Sequence, residues 1–393
     1  MENIMPPTSR RQQKILERQK QEATNRKQKT SSYVNQAPFR YAERNFKSRV
    51  PPPDYSKVVD LHHYDSKDPR IVKISLPNKL VSPFFREQDY SAYLLNDIPG
   101  LIIIQNPFTD KAQRHFIREC LKVYSQAPNT SNLDTHYTIP TEGLWNFYEQ
   151  ENRGDLGHDY CVPRKQVNNS TKNGYDSSSS ESDEKPDPLP VETVPLLPPS
   201  QLIYKMRWVT LGYQYHWPTK TYHFDRRYDV PQEVDGLTRA VVTAIEGVGH
   251  NGWKNTYRGS DYRTEAGVVN YYQYRDTLMG HVDRSELNMQ APLVSISYGN
   301  DCIYLIGGTT RETEPVPLRL HSGDIIIMTE PCRRCFHGVP LIIENTLPSY
   351  LSPDKNHGED DWELYGRYMS TSRINLNLRQ VYPLNADQEK EEN

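Results

Sequence analysis

The chain has 393 residues, room for two to three domains or for one large β domain with insertions. Apolar residues are 35%, below the ~45–50% of an ordinary globular chain, so part of it is expected to stay unpacked. A net charge of -3 excludes a strong global field for nucleic acid, no apolar run reaches the ~18 residues of a membrane helix, and five scattered cysteines exclude a disulfide scaffold and fit a reducing compartment.

Residues 1–50 carry 12 Lys or Arg against 4 Glu. With almost no apolar face over 10–29, residues 1–57 are expected to be a disordered basic tail. The N-terminus has no apolar stretch of the kind a secretory signal needs. Residues 58–85 mix strand-like pieces with proline, and 58–150 are expected to be an N-terminal extension and the start of the main domain. The run PGLIIIQNP at 99–107 predicts a strand bounded by turns. Residues 110–124 show helical spacing through Phe116, Ile117, Cys120, Leu121 and Tyr124. Residues 151–200, rich in Asn, Ser, Asp and Glu and then in Pro, are expected to be an acidic disordered insertion.

The core is expected over 201–383. Residues 202–215 alternate with aromatics, and 234–247 form a helix-like run stopped by Gly247. Short strands follow at 266–274, 293–298, 302–306, 316–320, 324–328, 336–340 and 373–381, separated by turn pairs such as Gly299-Asn300 and Gly307-Gly308. Short strands at this spacing predict a mainly β jelly roll or barrel with flanking helices. The 27 tyrosines fit that class better than a helix bundle. Residues 384–393 are a charged tail.

A facial iron site needs two His and one carboxylate on one side of the metal. His-x-Asp supplies two such ligands on one face of a strand, and the chain has it three times: His63/Asp65, His223/Asp225 and His281/Asp283. His63 precedes the predicted core. His223 lies in a Tyr- and Arg-rich loop with no clear strand after it. His281 follows a Tyr-rich strand and a turn ending at Gly280. His337, in CFHGVP, is the expected distal ligand; His321, in LRLHSGD, competes but reads as a turn residue. In RINLNLR, alternation puts Arg373, Asn375, Asn377 and Arg379 on one face, and Ile374, Leu376 and Leu378 on the other. Two inward arginines call for an anion such as a dicarboxylate. Asn270 and Tyr272 share a face of their strand. Cys332 and Cys335 form a lone C-x-x-C without two further zinc ligands and are expected to be structural.

Taken in order, Asn-x-Tyr, His-x-Asp, a distal His and Arg-x-Asn-x-x-x-Arg resemble the AlkB-like iron(II)- and 2-oxoglutarate-dependent dioxygenases, and within them the AlkB homologue one subfamily. The stretches PGLIIIQNPF, KMRWVTLGYQYHW, HVDRSEL and HSGDIIIM share in the resemblance, which covers about residues 99–381. It implies a double-stranded β-helix in which His281, Asp283 and His337 hold Fe(II) and take part in catalysis. Asn270, Tyr271, Tyr272, Arg373, Asn375 and Arg379 would contact 2-oxoglutarate, with O2 as the second cosubstrate. Trp208, Tyr213, Gln214 and Tyr215 resemble a nucleotide-recognition lid, and Trp145 a further substrate-side residue. A departure is Ser285, where bacterial AlkB is acidic and reads the base.

The implied activity is oxidative demethylation or hydroxylation of methylated bases, with release of succinate, CO2 and formaldehyde. Candidate substrates are tRNA N1-methyladenosine or wobble 5-methylcytosine, and DNA N6-methyladenine, each with the base unstacked. A dioxygenase acting on protein (histone) side chains and an AP lyase on abasic DNA are the alternatives. The protein is expected to be an intracellular monomer of the nucleus or mitochondrion, or of the cytoplasm, with no membrane partner.

Overall fold

Two apolar runs, LIII at 101–104 and IIIM at 325–328, show no period-2 alternation because their strands are covered on both faces. The structure, a computed structural model, describes residues 36–48, 50–166, 188–191, 193–354 and 361–383. The basic run 10–29, the acidic run 168–184 and the C-terminal tail lie outside the described residues.

The chain opens with helix α1 (Pro38–Lys47) and strands β1 (Val59–Asp60), β2 (Ile71–Ser75), β3 (Ser91–Leu95) and β4 (Ile98–Ile104). Helix α2 (Asp110–Arg118) runs into a π-turn at Glu119–Val123, and α3 (Leu144–Arg153) follows. Then come β5 (Trp208–His216), β6 (Thr221–Arg227), α4 (Gln232–Ala244), β7 (Gly249–His250) and β8 (Trp253–Lys254). The second half holds β9 (Ala266–Gln273), β10 (Leu278–His281), β11 (Leu293–Gly299), β12 (Cys302–Ile306), β13 (Val316–Leu320), β14 (Ile325–Met328) and β15 (His337–Ile342). Helix α5 (Trp362–Met369) and β16 (Ser372–Arg379) complete it.

The strands form a nine-stranded sheet, β2-β3-β4-β14-β11-β16-β9-β5-β6, and a five-stranded sheet, β1-β13-β12-β15-β10. A small β7-β8 pair stands apart. The large sheet is the middle layer. On β4, Ile102 and Ile104 pack with α2, α3 and α4, while Leu101 and Ile103 face the smaller sheet. Strand β14 splits the same way, with Ile325 and Ile327 on the helix side and Ile326 and Met328 between the sheets. Two facing, mostly antiparallel sheets closed by turns are a jelly roll, as expected.

Four expectations need correction. Residues 151–166 fall in the segment expected to be a disordered insertion, but α3 runs on to Arg153, Val162 is fully buried and Arg164 bridges Tyr137. Pro38–Lys47 lies within the segment expected to be a tail but forms α1. Its Phe39 and Phe46, one turn pair apart, bury against Ile303 and Leu305 on the outer face of the small sheet. The strand expected over 202–215 begins only at Trp208, after helical turns at Pro199–Leu202 and Ile203–Lys205. His223 sits not in a loop but on the edge strand β6, paired with Gln214.

Candidate active site

Strands β10 and β15 run antiparallel with His281 opposite His337, so the fold brings a residue pair 56 positions apart into direct register. The rings lie 4.4 Å apart between centroids. Each imidazole is fixed the same way: His281 Nδ1 sits 2.9 Å from Met279 O, and His337 Nδ1 3.2 Å from Cys335 O. An Nδ1–H donated to a carbonyl leaves Nε2 as the free lone pair. Asp283, two residues beyond β10, brings Oδ1 to 3.7 Å from His281 Nε2 and Oδ2 to 3.8 Å from His337 Nε2. The three ligand atoms lie within 4.8 Å of one another, and no other such group occurs among the described residues.

Electrostatics prepares the same set for a cation. Burial pushes the Asp283 carboxyl up, but Arg379, His281 and His337 more than reverse this and hold it well below the usual carboxylate range. Burial, aided by His281, pushes His337 down to about 4. At neutral pH the site therefore presents a carboxylate and a neutral imidazole, the forms that bind metal.

Strand β10 has a strand neighbour on one side only. The other side is closed by α1 and by Arg311. Gly280 N–H donates to the buried Glu43 carboxylate, and Arg311 Nη2 donates to Gly280 O at 2.8 Å. A Cβ at Gly280 would run into the Phe39 ring, so only glycine lets the helix come this close.

The triad opens into a cavity of about 1410 Å³ between the sheets. Its opposite wall is the inner face of β16 beside β9, where Arg373 aligns with Tyr272 and Asn375 with Asn270. Ile374, Leu376 and Leu378 point away into the helix-side core, as alternation requires. Arg373 is 2% exposed and donates through Nη1 to Asn300 O at 2.8 Å and through Nη2 to Ser297 Oγ at 2.5 Å. Its Nε is buried with no hydrogen-bond partner, and none of its bonds goes to a carboxylate. A buried guanidinium balanced only by neutral groups is costly unless an anion meets it. The cavity therefore fits both groups that the motifs imply: a cation between His281, Asp283 and His337, and a carboxylate at Arg373.

The comparisons with known proteins point the same way. Residues 169–379 match the model of the 2OG-Fe(II) oxygenase superfamily. The chain is 33% identical to nucleic acid dioxygenase ALKBH1 of Mus musculus, over 76% of this chain and 68% of that protein. It is also 33% identical to tRNA demethylase abh1 of Schizosaccharomyces pombe, over 88% of this chain and 96% of that one. This chain belongs to the 2OG-Fe(II) oxygenase superfamily. A third relative, DNA N(6)-methyladenine demethylase ALKBH1A of Arabidopsis thaliana, is 27% identical over 90% of this chain and 98% of its own. As a 2OG-Fe(II) oxygenase the protein uses Fe(II), 2-oxoglutarate and O2.

Within this oxygenase not every expected residue reaches the cavity. Asn270, Tyr272, Asn375 and Arg379 line it. Arg379, however, is already engaged: its Nη2 lies 3.2 Å from Asp283 Oδ2 and its Nη1 3.1 Å from Glu286 Oε1. Its fork is spent on the two carboxylates rather than free for a further anion. Tyr271 is a correction. As the neighbour of two inward residues it points outward, and its hydroxyl donates to Cys120 O in the helix-side core.

The expected lid divides. Tyr215 lines the mouth, with its hydroxyl 3.2 Å from Ser285 Oγ and its ring against Trp217. Trp208 stands one ring back, 4.9 Å from Trp217. Tyr213 packs with Tyr382 and under the Arg227 guanidinium. Gln214 is buried in bonds to Thr130, Thr210 and Gly212 and is structural. Trp145 is also a correction: it is fully buried, stacks on Tyr365 at 4.3 Å and donates to Glu149 Oε1 at 3.0 Å, on the helix side of the sheet.

The competing histidines also find places. His321 pairs with Asp60 at 2.9 Å and Asp301 at 3.2 Å, away from the triad. His63 pairs with Asp60 at an exposed turn, and His223 stands 4.0 Å from the exposed Asp225. Two participants gave no signal of their own in the sequence: Glu43, which reaches Gly280 from 237 positions away, and Arg333, one residue into the C-x-x-C turn.

Proposed function

We propose that the protein oxidises methylated bases in nucleic acid, removing N-methyl groups or hydroxylating the methyl group of 5-methylcytosine, in tRNA, in DNA, or in both. The observation that carries this reading is the triad facing Arg373 across one cavity whose mouth carries an aromatic pair, Tyr215 and Trp217. The relatives named above, which act on nucleic acid, support it. His281, Asp283 and His337 would hold Fe(II); Arg373, with Tyr272 and Asn270 beside it, would take 2-oxoglutarate. When bound, these groups couple the decarboxylation of 2-oxoglutarate by O2 to hydroxylation of a C–H bond. The chain's own share is positional. Arg379 and the two backbone carbonyls keep the ligand atoms aimed, and Arg373 fixes a carboxylate against the wall. The aromatic rings at the mouth give an unstacked base a face to rest on. A hydroxylated N-methyl group leaves as formaldehyde.

All the groups involved come from one chain, which supports a monomer as the working unit. Among the described residues no helix is long and apolar enough to cross a membrane. The test is mass spectrometry of modified nucleosides in tRNA and DNA from cells with and without the protein. N1-methyladenosine or 5-methylcytosine derivatives changing in tRNA would support an RNA substrate, and N6-methyladenine changing in DNA would support a DNA substrate. Unchanged nucleosides, with turnover on histone peptides or with chelator-insensitive cleavage of abasic DNA, would contradict the proposal.

A further inference from the structure

Of the three triad residues, Asp283 alone lies off a strand. It begins the connection 282–292 between β10 and β11, in which no strand or helix occurs. A ligand on an irregular loop needs something to hold the loop; Arg379 and Tyr222 hold its Glu286 and Asn288 holds its far end, and Arg333 is the side chain that spans it. Arg333 is 1% exposed and donates to three oxygens along this segment, with Met289 Sδ a fourth, weaker acceptor at 3.8 Å. Its Nη1 reaches Asp283 O at 3.2 Å, its Nη2 reaches Glu286 Oε2 at 3.0 Å, and its Nε reaches Ala291 O at 3.1 Å. The beginning, middle and end of the loop are thus tied to one planar group.

The anchor is itself rigid. Arg333 N donates to Thr329 O at 3.1 Å, just past β14, and Cys335 N closes the turn on Cys332 O at 2.9 Å. The same turn presents Cys335 O to His337 Nδ1. Glu286 lies between two guanidiniums, Arg333 on one oxygen and Arg379 on the other, and Arg379 continues to the Asp283 carboxylate. Backbone and side chain of Asp283 are therefore held by two different arginines.

We propose that Arg333 is a positioning residue for the metal centre, pinning the 282–292 loop so that the Asp283 carboxylate stays in register with His281 and His337. The role needs the guanidinium fork and not only its charge, because three acceptors in different directions must be met at once. A lysine ammonium in the same place keeps the charge opposite Glu286 and loses the simultaneous reach to both backbone carbonyls.

This rests on the triad being the metal site, and the experiment separates the two claims. Mn(II) affinity is measured on the full chain by the paramagnetic resonance of free Mn(II), for wild type, Arg333→Lys and Arg333→Met. Thermal melts of the metal-free proteins run alongside. Removing an outer partner of a metal ligand typically weakens binding about 10–100-fold. We expect a loss in that range for both variants, with amide exchange across 282–292 faster in Arg333→Lys than in wild type. The 2-oxoglutarate affinity at saturating Mn(II) should be unchanged, since Arg373 is untouched. If Arg333→Met does not fold, Arg333→Lys decides. Mn(II) binding by a folded Arg333→Lys within twofold of wild type overturns the proposal and leaves the triad standing. A wild type that binds no Mn(II) overturns the triad and this inference with it.

Discussion

Arg373 and Arg379 lie on the same face of one strand, six residues apart, and do different work. Both leave Nε buried without a hydrogen bond, but Arg379 is paired with the Asp283 and Glu286 carboxylates, whereas Arg373 has only neutral hydrogen-bond partners. Truncating one partner of a buried charged pair costs about 2–5 kcal/mol. Arg373→Ala should therefore raise the 2-oxoglutarate dissociation constant by at least ~30-fold, while Mn(II) binding stays normal. Titration of 2-oxoglutarate into Mn(II)-loaded protein checks this, and normal affinity would move the cosubstrate elsewhere. The mouth and the core make a second contrast. Tyr215→Ala should weaken binding of a methylated oligonucleotide by roughly 5- to 150-fold, since stacking is worth ~1–3 kcal/mol per base. Trp145→Ala should instead lower stability by about 3–5 kcal/mol and leave oligonucleotide affinity per folded molecule unchanged. Binding titrations paired with denaturant melts distinguish the two, and an affinity loss in Trp145→Ala at unchanged stability would return Trp145 to the substrate side. At this scale the grouping of His281, Asp283 and His337 is legible because spacing and order carry it. Tyr271 and Trp145 were misassigned because a side chain's facing depends on register, which neighbourhood in sequence does not convey.

Among the elements, the long strands were legible and the short edge was not. Residues 302–306 and 316–320 fall where apolar content places them. Strand β10 has only four residues, LMGH, and no apolar pattern, so its pairing with β15 could not be read. Helix α1 was missed for a related reason: its apolar face is two phenylalanines that become informative only once the small sheet is there to receive them. The contact also ties α1 to β10 through Glu43 and Gly280. Glu43→Ala leaves the Gly280 N–H buried without its acceptor, at a cost of roughly 1–3 kcal/mol. The Gly280 amide should then exchange faster than in wild type, and Mn(II) affinity should fall because His281 is the next residue. Unchanged exchange at Gly280 would show that α1 only covers the sheet.

Across the whole molecule, the N-terminal segment is tied to the jelly roll by polar pairs at the β1-β13 end of the small sheet, the end opposite β10. His321 lies between Asp60, at the end of β1, and Asp301, at the start of β12; His62 reaches Asp324 at 2.9 Å, and Arg319 reaches Asp301 at 2.7 Å. Burial pushes the His321 imidazole down, but hydrogen bonds to Asp301 and Asp60 more than reverse this and raise it to about 9. The folded value lies above the unfolded value of ~6.5. The stabilisation is therefore full below that pH and is lost as pH rises through about 9. Wild type should unfold at higher denaturant than His321→Gln at pH 6 and 7, and the gap should narrow between pH 8 and 10. A gap that holds constant over that range would show that His321 is not charged in the folded protein.

The central claim is that one cavity binds iron, cosubstrate and a methylated base together. The most direct measurement is a balance in a purified reaction: methyl groups lost from an N6- or N1-methyladenine oligonucleotide, formaldehyde released and succinate formed, with Fe(II), 2-oxoglutarate and O2 supplied. The account predicts one formaldehyde and at least one succinate for each methyl group lost, with all three abolished in His337→Ala. Succinate without loss of methyl groups from any nucleic acid, or methyl loss that persists in His337→Ala, would contradict it.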